Sequence, residues 1–406
     1  MSDRAAWRLL AALAALNVLA YVDRQLVASL APLLIADLGL TRAQVGLLVG
    51  PAFVLVFAVG TLLLGAAADR SSRPRLIAGG LLLWSAATAL TGAASSLAAL
   101  FAWRALTGIG EATLPPTAIA MLGDRFPPRR LGLAAGVYYA GIPVGFAISL
   151  AASGLIAPRF GWRACFGAIG AIGLAAVALV WRMQDPPRRG AAGVSVARRP
   201  PEPLAPRLRR ALRARPTLVL VIAGATLLTY TSASSQHLVT WLVEERGFAY
   251  ARATFLAALL VFAAGLAGNL GMGALTDRAR RPGPGGRLPV LVGLGAVAAV
   301  ATLTFYLAPA GSTLFFACWG IAQAWTLGWY GPLVATVHEL APEDARASVV
   351  GLCLMALNLV GVGLGPWITG VIGDHASLTA GLVSSVGVGA VGLGLLLVAA
   401  RRDARA

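Results

Sequence analysis

The chain alternates long apolar runs with short clusters of Gly, Pro and Arg. A helix needs about 20 apolar residues to cross the hydrocarbon core of a bilayer. Six runs fall near 7–31, 43–66, 76–96, 98–122, 130–157 and 162–182. Six more fall near 217–243, 252–275, 288–309, 312–336, 346–373 and 378–400. The first begins behind Arg4 and Arg8 with A-x-A-like triplets, as a secretory signal does. It carries Asp23-Arg24 and is followed by no soluble domain, so it reads as a retained span. Residues 185–215 are rich in Pro and Arg and hold no apolar run. The pattern therefore predicts an all-α membrane protein of twelve transmembrane helices. A six-helix bundle spans 1–184, a cytoplasmic linker 185–215, and a second six-helix bundle 216–406. Topogenic charge is the first explanation of the basic linker, and anionic-lipid binding is the alternative.

Composition agrees with the pattern. Hydrophobic residues make up 58% of the 406, charged residues 12%, and the mean hydropathy is +0.79. Soluble domains carry roughly twice that charged share. A soluble enzyme and a disordered chain are both excluded. The net charge of +17 comes from arginine alone, because the chain has no lysine. Nucleic-acid binding is a poor explanation, since no soluble domain exists to carry it. Of the 33 arginines, 26 fall at the termini, in the even-to-odd loops and in the linker. Only Arg42, Arg159, Arg163, Arg246 and Arg252 fall on the other side. This positive-inside bias puts both termini in the cytoplasm and requires an even number of spans. A multi-pass protein of the bacterial inner membrane is expected. Cys165, Cys318 and Cys353 all sit in apolar runs, as packing residues rather than a disulfide or metal framework.

The two remaining arginines, Arg24 and Arg104, lie inside spans, as do Asp23 and Glu111. Each charge at the bilayer centre costs about 2.5–3.5 kcal/mol unless it pairs or meets water. Arg104 and Glu111 are seven residues apart, so two helical turns return them to one face about 10 Å apart. Thr107 and Gly108 lie between them. On span one, Asn17, Tyr21 and Arg24 form a polar stripe, with Asp23 about 100° away. The four charges sum to zero. A proton on either acid strips one arginine of its partner, which is the basis of a proton-linked switch. The alternative is a permanent salt-bridge network joining spans one and four.

An internal repeat supports the division into halves. Gly65-Ala-Ala-Ala-Asp69-Arg70 follows span two and Gly273-Ala-Leu-Thr-Asp277-Arg278 follows span eight, offset by 208 residues. The same offset maps Asp23 to Thr231 and Glu111 to Trp319, so the second half carries no matching charges. It offers instead polar and aromatic positions suited to an amphipathic wall. The cavity candidates are Asn17, Tyr21, Tyr138, Tyr230, Gln236, His237, Trp241, Gln323, Trp329 and Asn358, with Tyr330 beside them. Gly141, Pro143 and Gly145, and Gly361, Gly363, Gly365, Pro366 and Gly370, mark pliant points in spans five and eleven.

Twelve spans, a long central loop and G-x-x-x-D-R after spans two and eight resemble the major facilitator superfamily over the whole chain. The stretch Gly65 to Arg75 is similar to that family's cytoplasmic signature, with Ser72 where a glycine is usual. The resemblance implies a cytoplasmic gate at Gly65, Asp69, Arg70, Arg73, Asp277 and Arg278. A narrower resemblance is carried by four elements. They are Asn17-Val-Leu-Ala-Tyr21-Val-Asp23-Arg24, Arg104-Ala-Leu-Thr-Gly108-Ile-Gly110-Glu111-Ala112, Tyr138-Tyr139-Ala-Gly141-Ile-Pro143-Val-Gly145 and Gly161-Trp162-Arg163. Together they resemble the spinster branch, whose members export lysophospholipids and sphingolipids. The G-I-G-E-A element is shared in part with organic-anion symporters.

That resemblance implies Asp23 and Glu111 as the proton-responsive acids. It implies Arg24 and Arg104 as their partners or as contacts for an anionic head group. The expected function is proton-coupled transport of an amphipathic lipid of lysophospholipid or sphingoid-phosphate type by alternating access. The alternative is symport of small organic anions such as sugar acids. No cofactor beyond the coupling proton, no metal and no nucleic acid is expected, and a monomer is implied by the resemblance. An enzyme is not expected. No G-x-S-x-G elbow, H-E-x-x-H helix or P-loop occurs, and His338-Glu339 lacks a second histidine.

Overall fold

The computed structural model describes residues 3–68, 71–187, 204–283 and 285–403. Helix accounts for nearly all of them, as it must where no water is present to satisfy backbone groups. The helices of the first half are α1 (Asp3–Leu38), α2 (Arg42–Val49), α3 (Pro51–Ala68), α4 (Arg73–Thr91), α5 (Leu97–Glu111), α6 (Leu114–Arg125), α7 (Pro128–Tyr139) and α8 (Gly141–Trp181). Those that follow are α9 (Leu204–Ala214), α10 (Thr217–Ser234), α11 (Leu238–Glu244), α12 (Tyr250–Arg278), α13 (Leu288–Leu307), α14 (Thr313–Gly328), α15 (Tyr330–Leu340), α16 (Arg346–Ala356), α17 (Gly363–His375) and α18 (Leu378–Asp403).

Every predicted span coincides with helix, but several are not single rods. Predicted span four breaks after Glu111, because Pro115 and Pro116 occupy the first turn of α6 and cannot donate backwards. Span five breaks at Ala140, beside the Gly141 and Pro143 marked as pliant. Span ten breaks at Trp329. Span eleven passes through a π-helical segment, Leu357–Val362, between α16 and α17. Conversely, α8 carries spans five and six through Gly161, whose φ of 79° only glycine adopts readily. Eight helical stretches among the described residues are long and apolar enough to cross a membrane. Predicted spans three, four and ten fall on α4, which is less apolar, and on the interrupted pairs α5 with α6 and α14 with α15. Part of the predicted linker is also helical: Leu208, Ala211 and Leu212 share one face of α9 and pack on the second core.

The described residues form two compact units, one of 1–194 with 238–259 and one of 195–237 with 260–406. Within the first unit, the 238–259 segment is held by polar as well as apolar contacts. Arg42 pairs with Glu244 at 2.8 Å, and the Tyr250 hydroxyl donates to the Ser29 carbonyl at 3.0 Å. Gly161-Trp162-Arg163 clamps the end of α1. Trp162 Nε1 and Arg163 Nη1 both donate to Asp37 Oδ2, at 3.1 and 2.6 Å.

Close backbone packing fixes α5 against α4. A Cβ on Gly110 would lie 2.6 Å from the Gly80 carbonyl oxygen and 2.7 Å from the Trp84 nitrogen. Gly110 in the G-I-G-E-A element is thus a helix-packing residue, and it sets the depth of the neighbouring Glu111. The core of the second unit gathers α10, α13, α15, α16 and α18 around Trp325, Trp329, Leu333 and Val349.

Gly110→Val should force the two backbones apart and cost about 1–3 kcal/mol or more. The expected readout is an apparent melting temperature several degrees lower in detergent. Gly79→Ala, with no atom within 4 Å of the added carbon, should leave it unchanged.

Candidate functional site

The four membrane charges converge inside the first unit. Arg24 of α1 donates through Nε to Glu111 Oε2 of α5 at 2.5 Å. Glu111 is fully buried and Arg24 largely so. Three rings surround the Arg24 guanidinium. Its carbon lies 4.7 Å from the Tyr21 centroid, 5.0 Å from Phe53 and 4.3 Å from Phe57. A desolvated cation over aromatic faces gains about 2 kcal/mol per good contact. Phe53 and Phe57 of α3 stack at 5.3 Å to form two walls of this cage.

Arg104 is the second cation. Its Nη2 donates to the Arg24 carbonyl at 3.0 Å, and its guanidinium stands 4.7 Å from the Phe53 ring. Its Nε is buried without a hydrogen-bond partner among the described residues. Asp23 is buried and accepts from Thr88 Oγ1 of α4 at 2.7 Å, and its carboxyl adjoins that of Glu111. Only one of the expected pairings is therefore a direct ion pair, Arg24 with Glu111. Asp23 and Arg104 instead both line a cavity of about 10 Å³ that Thr91, Thr107 and Phe166 also bound. That volume suits about one water molecule and no organic substrate.

The polar stripe on α1 is occupied as its spacing predicts. Asn17 Nδ2 donates to the Tyr138 carbonyl at 2.8 Å, at the end of α7. Tyr21 packs edge-on to Phe146. Tyr138 is itself fully buried, and its hydroxyl meets no partner among the described residues. Gly141 and Gly145 bring α8 against α1: a Cβ on Gly145 would stand 2.7 Å from Tyr21 Cβ. The pliant residues of span five are therefore also what let the charged stripe be enclosed.

The second unit has no counterpart to this cluster at the mapped positions. Thr231 donates to the Ser385 carbonyl at 2.6 Å. Trp319 is buried in an aromatic group, stacked on Phe305 at 5.3 Å. The other cavity candidates divide. His237 is fully buried, 2.7 Å from the Pro366 carbonyl, so Nε2 is the donor there. Trp241 is fully buried beneath the Arg246 guanidinium. Tyr230 is buried; Gln236, Gln323 and Asn358 are half-buried. Gln236 Oε1 has no partner among the described residues, and Asn358 donates to the Leu354 carbonyl one turn back. Trp329 stacks on Trp325 and donates to Ser232 Oγ at 3.3 Å, while Tyr330 is exposed.

Of the gate residues, Asp69 and Arg70 lie outside the described residues. Gly65 lies near the end of α3 beside Pro116. Arg73, at the start of α4, is buried and triply engaged. It donates to Asp124 at 2.5 Å, to Asp185 at 2.7 Å and to the Pro186 carbonyl at 2.6 Å. It thus ties α4 to the end of α6 and to the chain leaving α8. In the second copy Asp277 pairs not with the adjacent Arg278 but with Arg287, at 2.7 Å, and Arg287 also pairs with Glu339 at 2.5 Å. Burial opposes the Arg287 charge, yet the two carboxylates outweigh it and hold the guanidinium above its ordinary pKa. Asp124, Asp185, Arg287 and Glu339, like Phe53, Phe57 and Thr88, escape motif reading. Each lies in a run whose pattern matches ordinary loops or apolar helix.

The Major Facilitator Superfamily model matches residues 13–362. The chain is 29% identical to an MFS-type efflux pump of Mycolicibacterium smegmatis over 98% of this chain and 90% of that protein. It is 33% identical to the hexuronate transporter of Bacillus subtilis over 39% of this chain and 37% of that one. A bacterial homologue of the human lysosomal transporter Spinster, solved inward-facing and unoccupied, superposes with a TM-score of 0.87. That likeness covers 100% of this chain and 99% of the other at 22% identity.

Arg24→Gln should strand Glu111 as a buried unpartnered charge and cost about 3–5 kcal/mol. The Arg24→Gln/Glu111→Gln double variant should recover much of that loss. Denaturant unfolding of the four forms tests it, and strictly additive losses would rule out direct pairing.

Proposed function

The chain belongs to the major facilitator superfamily, and within that family of secondary transporters we propose that it couples the movement of protons to that of an amphipathic anion. The observation that carries this proposal is the buried 2.5 Å pair between Arg24 and Glu111, with the Asp23 carboxyl beside it. The cluster is neutral as it stands. A proton alone leaves it with one excess positive charge, and an anion alone with one excess negative charge. Proton and anion together restore neutrality, so each favours the other's binding. Protonation of Glu111 frees the Arg24 guanidinium for a phosphate or carboxylate, while Asp23 exchanges its proton through the small cavity facing Arg104. A buried ion pair is a poor way to gain stability alone, which favours a working role.

The substrate we propose is a lysophospholipid or sphingoid phosphate. The first-half motif set resembles the spinster branch, and the second unit is rich in aromatic and aliphatic surface. Twelve crossings with both termini cytoplasmic in a bacterial inner membrane, alternating access, and a monomeric state complete the proposal. Sugar-acid symport is the second reading, favoured by the 33% identity to the hexuronate transporter over 39% of the chain. Both readings place the anionic group on Arg24.

In proteoliposomes, Glu111→Gln and Asp23→Asn should lose most of the accumulation driven by an imposed proton gradient, about tenfold or more, while reaching the membrane normally. Normal accumulation by both variants would remove the acids from coupling. Substrate affinity should rise as pH falls through the titration of the cluster. Thermal stabilisation of purified protein by lysophospholipids or sphingoid phosphates, and not by sugar acids, is expected. The reverse ranking would select the second reading.

A further inference from the structure

Helix α9 has no place in the transport chemistry, yet it is built with two distinct faces. Leu208, Ala211 and Leu212 turn inward and join the core formed by Leu218, Leu340, Ala341 and Ala345. The opposite side presents Arg209, Arg210 and Arg213, all exposed, beside Ala205, Pro206 and Ala214 on an open surface of the one helix. Positions 205, 209 and 213, and 206, 210 and 214, repeat every four residues and so form adjacent stripes on consecutive turns. Three guanidiniums, each a fork of five donors, are thereby held on one short surface.

Its placement identifies the surface it serves. Only Arg215 and Pro216 separate α9 from Thr217, where a membrane-length apolar stretch begins. The core that Ala211 joins also takes in Ala399 and Ala400 of α18, next to the exposed Arg401 and Arg402. Those arginines belong to the one-sided arginine excess of the sequence. The apolar face of α9 is consumed by protein, so the helix does not wedge into acyl chains as a free amphipathic helix does. What remains exposed, three residues from the start of a membrane-length apolar stretch, is charge. The ion pair of Arg210 with Asp344, at 2.9 Å, joins two exposed side chains and is weak enough to coexist with a second acceptor.

We infer that the Arg209–Arg210–Arg213 face of α9 is a docking site for anionic phospholipid head groups of the cytoplasmic leaflet. It anchors the start of the second unit at the membrane surface. Each arginine near an anionic surface contributes attraction worth about fivefold in binding. The basic face is complementary to phosphatidylglycerol-type phosphodiesters and indifferent to zwitterionic lipid.

The test uses the full-length protein in nanodiscs of phosphatidylcholine containing a minority of phosphatidylglycerol, with retained lipid counted by native mass spectrometry. Wild-type protein should retain phosphatidylglycerol in preference to phosphatidylcholine, and rising salt should weaken the preference. Arg209→Gln/Arg210→Gln/Arg213→Gln should reduce that preference by about 100-fold. The corresponding triple lysine variant should keep most of it, because charge and not fold is at stake. Equal retention by wild type and the triple glutamine variant would overturn the inference. Displacement of the lipid by millimolar glycerol phosphate or inorganic phosphate would also overturn it, by showing a site for a free anion rather than for the membrane.

Discussion

The absence of water inside the bilayer is the constraint on which this architecture rests. Four charges sit where an isolated one is costly, so each must be answered by protein. The Arg24–Glu111 pair answers two of them directly. The neighbouring helices then arrange themselves around that pair. Phe53 and Phe57 of α3 wall the guanidinium, Thr88 of α4 holds Asp23, and Arg104 of α5 caps the α1 carbonyl at Arg24. The backbone contact of Gly80 with Gly110 and the approach of Gly145 to Tyr21 are what make such short distances available. Packing and electrostatics here are one design, since looser helices would leave the charges neither paired nor hydrated.

Much of this was legible in the chain itself. Apolar run length locates the helices, and cost in the membrane singles out Asp23, Arg24, Arg104 and Glu111. What escaped has a physical reason in each case. Phe53 and Phe57 belong to an apolar run, and nothing in period or composition separates a cage ring from a lipid-facing one. The partners of Arg73 and Arg287 are distant in sequence, and motif spacing sees only neighbours: Asp277 looks matched to Arg278, whereas geometry gives it to Arg287. Helix breaks at Ala140 and Trp329 were hidden because apolar run length is blind to a one-residue change of direction. The linker helix α9 was missed because its apolar face is three residues wide and sits among arginines.

The two units answer the same constraint differently. Where the repeat offset would place an acid, the second unit puts Thr231 on a carbonyl and Trp319 into an aromatic stack. Several of its buried polar groups are met locally: Thr369 donates to Ser234, and His237 to the Pro366 carbonyl. Under the proposed coupling the carboxylates inside the first unit would be the responsive groups, because the arginines beside them keep their charge throughout the physiological range.

The π-helical segment Leu357–Val362 bears on how the chain tolerates change in length. In an α-helix one inserted residue rotates everything beyond it by about 100°, which would carry Gly365 and Thr369 off their contacts with α10. A π turn absorbs one residue locally and leaves the flanking turns in phase. Span eleven thus carries a built-in register joint. Against a relative whose span is continuous α-helix, an alignment drawn through it without a gap would assign the wrong face to one side.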